Sequence, residues 1–190
     1  MVIEIKNLSK SYGETAVLDN VNLTLDSAKP ICIMGQTGRG KTTLLNILLG
    51  LLKADSGEVA GAENSKFSAV FQEDRLCEQL SAIMNIAIVM DNPDKKQLTD
   101  RLLKMGLTED EIHRPVSQLS GGQKRRVAIL RALVSDSDAV LMDEPFKGLD
   151  EDTRKTVIEQ VKETIGARLL MVITHNEEDA VLLGADIIEL

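Results

Sequence analysis

The stretch ICIMGQTGRGKTTLLNILLG, residues 31–50, leaves little choice of architecture. It opens on a short apolar run, ICIM, of the kind that forms a strand covered on both faces. It closes on apolar residues at helical spacing, from 41 to about 51. Between the two, Gly35-Gln36-Thr37-Gly38-Arg39-Gly40-Lys41-Thr42 fits G-x-x-x-x-G-K-[ST], with Thr43 following. Glycines there let the backbone curl so that several N–H groups face one phosphate. Lys41 adds a point charge toward β- and γ-phosphates, and the Thr42 hydroxyl suits Mg²⁺. A chance glycine-rich turn would not be expected to have a strand before it and a helix after it.

Working outward, residues 2–6 and 17–25 alternate apolar and polar, as half-buried strands do. FSAVFQ (67–72) reads as a strand. From about 73 to 133 the pattern is mostly helical, with breaks at Pro93, Gly106 and Pro115. AVLMD (139–143) is a strand of the buried, parallel type. A helix (151–165), a strand (168–174), a helix (176–183) and a last strand (186–190) follow. Strand and helix alternate at both ends around a helical block. The expected fold is therefore α/β: a phosphate-loop core with a mixed sheet, an N-terminal antiparallel β part and an inserted α-helical lobe. Its boundaries read as a core of about 1–72 and 136–190, with the lobe at about 73–135, within one domain.

Composition narrows the function classes. The 190 residues are 43% apolar, enough for a sizeable core. The formal charge is −8, from 22 basic and 30 acidic residues, which argues against a general nucleic-acid binder. Cys32 lies in an apolar run and Cys77 in a polar stretch; neither spacing suggests a metal site or a disulfide framework. That reading points to a reducing, cytoplasmic setting. The start, MVIEIKNLSK, lacks a signal-sequence pattern, and the longest apolar run, near 44–52, is too short to span a bilayer. Work at a membrane would need spans from another chain.

Several further residues carry chemistry. Asp143 and Glu144 end the apolar strand AVLMD, where two adjacent acids are costly unless a cation or partner offsets them. Beside a phosphate loop, Asp143 suits Mg²⁺, held through water, and Glu144 suits a general base that polarises the attacking water. A solvated loop start is the plainer reading of such a pair taken alone. Gln72, ending FSAVFQ, could ligate Mg²⁺ or orient water, though a loop glutamine is commonplace. His175, after LLMVIT, could contact the γ-phosphate or serve as a structural hydrogen-bonder. Tyr12, the only tyrosine, could stack on a nucleobase or simply pack. A second helix start, LSGGQKRRVAILRA (119–132), exposes the N–H groups of Ser120, Gly121 and Gly122, so the chain carries two helix starts suited to anions.

In this order the motifs resemble those of ATP-binding cassette ATPases, the motor subunits of a superfamily of transporters, over essentially the whole chain. SYG with Tyr12 is similar to the aromatic loop, GQTGRGKT to the Walker A loop, and Gln72 in FQED to the Q-loop. LSGGQ (119–123) is similar to the family signature without a mismatch. AVLMDEP resembles Walker B with its glutamate, Gly148-Leu149-Asp150 the D-loop, and His175 in ITHNEEDA the H-loop. The resemblance implies ATP and Mg²⁺ as cofactors and a head-to-tail pair of cassettes, by default a homodimer. In such a pair Walker A of one chain and Ser120, Gly121, Gly122 and Gln123 of the other clamp one nucleotide, with Asp150 also among the nucleotide-binding residues. It implies catalysis by Glu144, His175 and Gln72, metal binding by Thr42, Gln72 and Asp143, and nucleotide contacts from Tyr12 and residues 35–43. It also implies transmembrane permease subunits as partners, met by residues 73–77, a solute-binding protein in an importer, and a place on the inner face of the cell membrane.

Two departures stand out. Arg39 occupies a Walker A position where the family mostly has a small residue; only its backbone N–H is needed there. The D-loop reads KGLD, with Lys147 where a serine is commoner, a departure that reads as minor. FQEDRL resembles the nitrate, sulfonate and taurine importer branch. An exporter or lipid-related ATPase, and a soluble non-transport cassette, are the alternatives. A repair-type cassette would carry a long coiled-coil insert, and a translation factor of this type two cassettes.

Overall fold

The computed structural model describes residues 1–190. Two sheets and seven helices form its layers. The antiparallel sheet is built from β1 (Val2–Tyr12), β2 (Thr15–Asp26) and β4 (Ser56–Ala60), in the order β2-β1-β4. The parallel sheet holds β3 (Ile31–Met34), β5 (Phe67–Val70), β6 (Ala139–Asp143), β7 (Leu169–Ile173) and β8 (Asp186–Glu189), in the order β5-β6-β7-β3-β8. The mixture of strand directions expected from the sequence is thus realised as two sheets, each of one kind.

Every residue of β3, β6 and β7 is buried, the reason their sequences are unbroken apolar runs. Side chains alternate between two cores. From β6, Ala139 and Leu141 face a core shared with Ile3, Ile5, Leu8 and Leu25 of the antiparallel sheet. The same core takes Leu44, Leu45 and Leu48 of α1 (Lys41–Leu48). Val140 and Met142 face the other core, built by α2 (Ala82–Ala87), α3 (Lys95–Lys104), α4 (Glu109–His113), α5 (Gly121–Val134), α6 (Glu151–Ile165) and α7 (Glu177–Leu183). The helices between 82 and 134 share this continuous core with α6, α7 and the sheet.

The hairpin β1–β2 carries register shifts, with Asn7 (φ 51°) and Asn20 (φ 50°) in the left-handed region that asparagine tolerates. The bulge moves β1's buried positions from odd (Ile3, Ile5) to even (Leu8). The strand β4 was not among the expected ones, α1 ends three residues sooner than the spacing predicts, and β5 stops at Val70. No helix is long and apolar enough to cross a membrane.

Candidate nucleotide site

The carboxyl ends of β3, β6 and β7 lie side by side in the parallel sheet, the edge at which such sheets bind ligands. From β3 the chain runs through Gly35–Gly40 into α1. Gly40 caps that helix at φ 84°, and a Cβ there would lie 2.3 Å from the Val17 carbonyl oxygen, so only glycine fits. No side chain caps α1 and no acid sits in its first turn, which leaves its amide groups open to an anion. Lys41 is buried, and its Nζ donates to the carbonyls of Gly35 (2.8 Å) and Gln36 (2.9 Å). Burial lowers the pKa of its ammonium; Glu144 and Asp143 oppose that shift. The Arg39 N–H donates to the Gln36 carbonyl (3.3 Å), so that amide is committed to the loop's own turn.

From β6 comes Asp143, only 2% exposed. The Thr42 hydroxyl donates to its Oδ2 at 2.7 Å, and its Oδ1 is buried with no partner. Burial pushes this carboxyl above the ordinary carboxylate range, with Glu144 adding to the shift and the Thr42 hydrogen bond, the nearby Gln72 amide and Lys41 opposing it. Glu144 follows at φ 48°, a left-handed conformation uncommon for a side-chain-bearing residue, fixed by its N–H to the Ile173 carbonyl (2.9 Å). Its Oε1 lies 3.2 Å from His175 Nε2 and its Oε2 2.6 Å from Lys147 Nζ.

Thr37, Gly38, Lys41, Thr42, Thr43, Gln72, Asp143, Glu144 and His175 therefore line one cavity of about 230 Å³. A second cleft, of about 350 Å³, lies beyond Glu144 and His175 and is walled by Lys147, Arg154, Thr174 and Asp179. There the Thr174 hydroxyl donates to Asp179 Oδ2 (2.6 Å) and accepts from the Asn176 N–H (3.1 Å), which orients the turn bearing His175.

The remaining expected residues stand apart from the cavity. Tyr12 ends β1, 53% exposed, with Lys10 Nζ 6.0 Å from its ring centre. Ser120 caps α5: its hydroxyl accepts from the Gln123 N–H, and Gln123 Oε1 accepts from the Ser120 N–H at 2.7 Å. Gln123 Nε2 donates to Glu111 (2.6 Å), and Gly121 and Gly122 form the first turn. Asp150 caps α6 by accepting from the Thr153 N–H (2.9 Å). None of these lines the phosphate-loop cavity of its own chain.

The structure adds residues that the motifs did not indicate. On α5, Arg125 donates to the carbonyls of Phe71 (2.6 Å) and Gln72 and pairs with Asp74 (3.1 Å). Arg131 donates to the carbonyls of Asp74 (3.2 Å) and Arg75 (3.0 Å). Two arginines of the signature helix thus strap the loop that carries Gln72. The only signal in the sequence was the number of basic residues in that helix. Asp74 turns inward onto this strap, whereas Glu73, Arg75 and Cys77 are exposed.

A family described as ABC transporter matches residues 18–147. The chain belongs to the ATP-binding cassette transporter ATPase family. The cassette is 31% identical to the ergothioneine transport ATP-binding protein of Helicobacter pylori, over all of this chain and 97% of the relative. It is 32% identical to the spermidine/putrescine import ATP-binding protein of Pasteurella multocida, of whose length it spans 55%. It is also 32% identical to the aliphatic sulfonates import ATP-binding protein of Corynebacterium glutamicum, over 95% of this chain and 76% of the relative. Among solved structures, the dimeric post-hydrolysis state of the cassette MJ0796 bound to ADP and Pi superposes with a TM-score of 0.84, at 30% identity over 99% of this chain and 94% of that one.

Proposed function

We propose that this cassette is the ATP-hydrolysing motor subunit of an importer for small molecules, working as a head-to-tail pair on the inner face of the cell membrane. The observation that carries the reading is the gathering of Lys41, Thr42, Gln72, Asp143, Glu144 and His175 around one cavity at the mouth of α1. Lys41 and the open amides of α1 would hold the β- and γ-phosphates. Glu144 accepts the proton of the attacking water. His175, on the turn fixed by Thr174 and Asp179, contacts the γ-phosphate, and Gln72 orients the water. Tyr12 offers an exposed ring to the nucleobase.

Mg²⁺ fits this site. Thr42, Gln72 and Asp143 present oxygen donors only, and Asp143 Oδ1 is a buried acceptor in want of a partner. No three His, Cys, Asp or Glu side chains gather as a cage, so the ion would share its ligands with phosphate oxygens. When bound, it neutralises charge on the β- and γ-phosphates.

Separation of Ser120, Gly121, Gly122, Gln123 and Asp150 from that cavity supports a pair in which each chain completes the other's site. The dimeric state of the MJ0796 cassette supports it too. In the pair, residues 1–72 and 136–190 act as the core, and 73–135 as the lobe that passes motion to the membrane. Import rests on the relatives that transport ergothioneine or import polyamines and sulfonates. Permease subunits and a solute-binding protein are the partners this reading requires. The test is Glu144→Gln, assayed by phosphate release and by nucleotide binding. Loss of about 10²–10⁴-fold in turnover with binding retained is expected. Turnover near wild type would remove Glu144 from the base role.

A further inference from the structure

We infer that Lys147 is a positioning residue that draws Glu144 away from the phosphates until two cassettes pair. This rests on the reading of Glu144 as the general base, and it gives a role to a departure in the D-loop that looks minor in the sequence.

A carboxylate acting as a base needs a free lone pair turned toward the water. In the single chain Oε2 of Glu144 accepts a hydrogen bond from the Lys147 ammonium, while Oε1 stands 3.2 Å from His175 Nε2. Glu144 and His175 form the wall between the two cavities, for they line both. Lys147 lines only the outer one, away from the phosphate loop. An ammonium at 2.6 Å therefore pulls the carboxylate toward the outer cleft. The pull is built into a short turn: the Lys147 N–H donates to the Glu144 carbonyl (3.3 Å), and Phe146, 4% exposed, anchors the segment in the core.

The contact is also made to be broken. The Lys147 side chain is 75% exposed, so its pairing with Glu144 is worth little against water. Gly148 follows at φ 79° with open space around the position of a Cβ, and Leu149 is only partly buried. A second copy of the chain entering the outer cleft displaces the lysine without unfolding anything, and the freed oxygen can turn to the water. Breaking this contact is then a step in readying the paired site for hydrolysis, while nucleotide binding, which uses the other cavity, is untouched.

The experiment compares wild type, Lys147→Ala and Lys147→Arg as the whole chain, by steady-state phosphate release across ATP concentrations and by titration with a fluorescent ATP analogue. Lys147→Ala is expected to raise kcat about two- to five-fold, with KM and analogue affinity unchanged. Lys147→Arg, which keeps the cation, is expected to stay at the wild-type rate. An unchanged or lower kcat for Lys147→Ala, or an equal rise for Lys147→Arg, overturns the inference. Glu144→Gln separates the two failures. If that variant is inactive while Lys147→Ala gains nothing, only the positioning role falls; if it turns over normally, the base assignment falls and takes this role with it.

Discussion

Replacing Arg125 by methionine keeps the length of the side chain and removes every donor. Arg125 is 12% exposed and makes two hydrogen bonds to loop carbonyls, besides its pairing with Asp74, whose side chain is 19% exposed. Bonds to a charged donor contribute about 1.5–3 kcal/mol each. Both carbonyls lie near the surface and recover water when the arginine goes, so a net loss of about 1–2 kcal/mol is expected from them. Asp74 is then left half-buried and without Arg125, foremost of the neighbours that lower its pKa, while burial already holds it above the ordinary carboxylate range. A fully buried charge stripped of its partner costs about 3–5 kcal/mol; partial exposure brings this to about 1. The total is about 2–3 kcal/mol, a fall in Tm of about 5–10 °C for a chain of this size. The sign with pH follows. A carboxyl whose folded pKa lies above its unfolded one binds more protons when folded, so its penalty is full at neutral pH and fades as pH falls toward 4. Urea melts of wild type, Arg125→Met, Asp74→Asn and the double variant, at pH 7 and pH 4.5, give the cycle. Asp74→Asn should restore about 1 kcal/mol in the Arg125→Met background, and the deficit should shrink at pH 4.5. A deficit under about 0.5 kcal/mol, or one that neither Asp74→Asn nor acid reduces, would show that the strap does not hold the loop.

Asn85 is fully buried, and its amide bonds the Cys77 N–H (2.8 Å) and the carbonyls of Cys77, Leu80 and Ser81 (3.1, 3.3 and 3.1 Å). Asn85→Ala should cost about 2–4 kcal/mol, with the Cys77 amide exchanging much faster with deuterium; unchanged exchange over 77–81 would deny the tether. The two thiols should also separate. Burial pushes Cys32 up to about 12, whereas Cys77 is exposed, so at pH 8 a disulfide reagent should titrate one thiol in the native chain and two in denaturant. A second fast equivalent in the native chain would contradict the packing of β3.

The central strands were legible because burial on both faces demands unbroken apolar runs, and ICIM, AVLMD and LLMVI supply them. β4 was not, because SGEVA neither alternates nor is apolar. Its place comes from pairing with β1, and Gly57 is required where a Cβ would meet the Asn7 carbonyl at 2.4 Å, a constraint set by the bulge of another strand. The same split runs through the site. Lys41, Thr42, Asp143, Glu144 and His175 follow strand ends, so strand order alone brings them together. Arg125 and Arg131 act on backbone carbonyls more than 50 residues away in sequence, and a carbonyl has no residue type to betray it. The arrangement of Lys147 depends on the left-handed turn at Glu144, which no composition announces.

These straps bear on why two helix starts suited to anions occur in one small chain. A 14-residue helix is about 21 Å long and stiff on that scale. At its N-terminus α5 carries Ser120 and two glycine amides, none of which lines the phosphate-loop cavity of its own chain. Further along its length Arg125 and Arg131 hold the carbonyls of residues 71, 72, 74 and 75, the segment bearing Gln72. On the proposed pairing, force applied at Ser120 by a nucleotide on a second copy would reach Gln72 through four hydrogen bonds and one ion pair, with no flexible linker between. Loosening the strap should weaken that coupling between the two sites of a pair before it weakens either site alone, because nothing in the phosphate cavity itself depends on Arg125 or Arg131 except the position of Gln72.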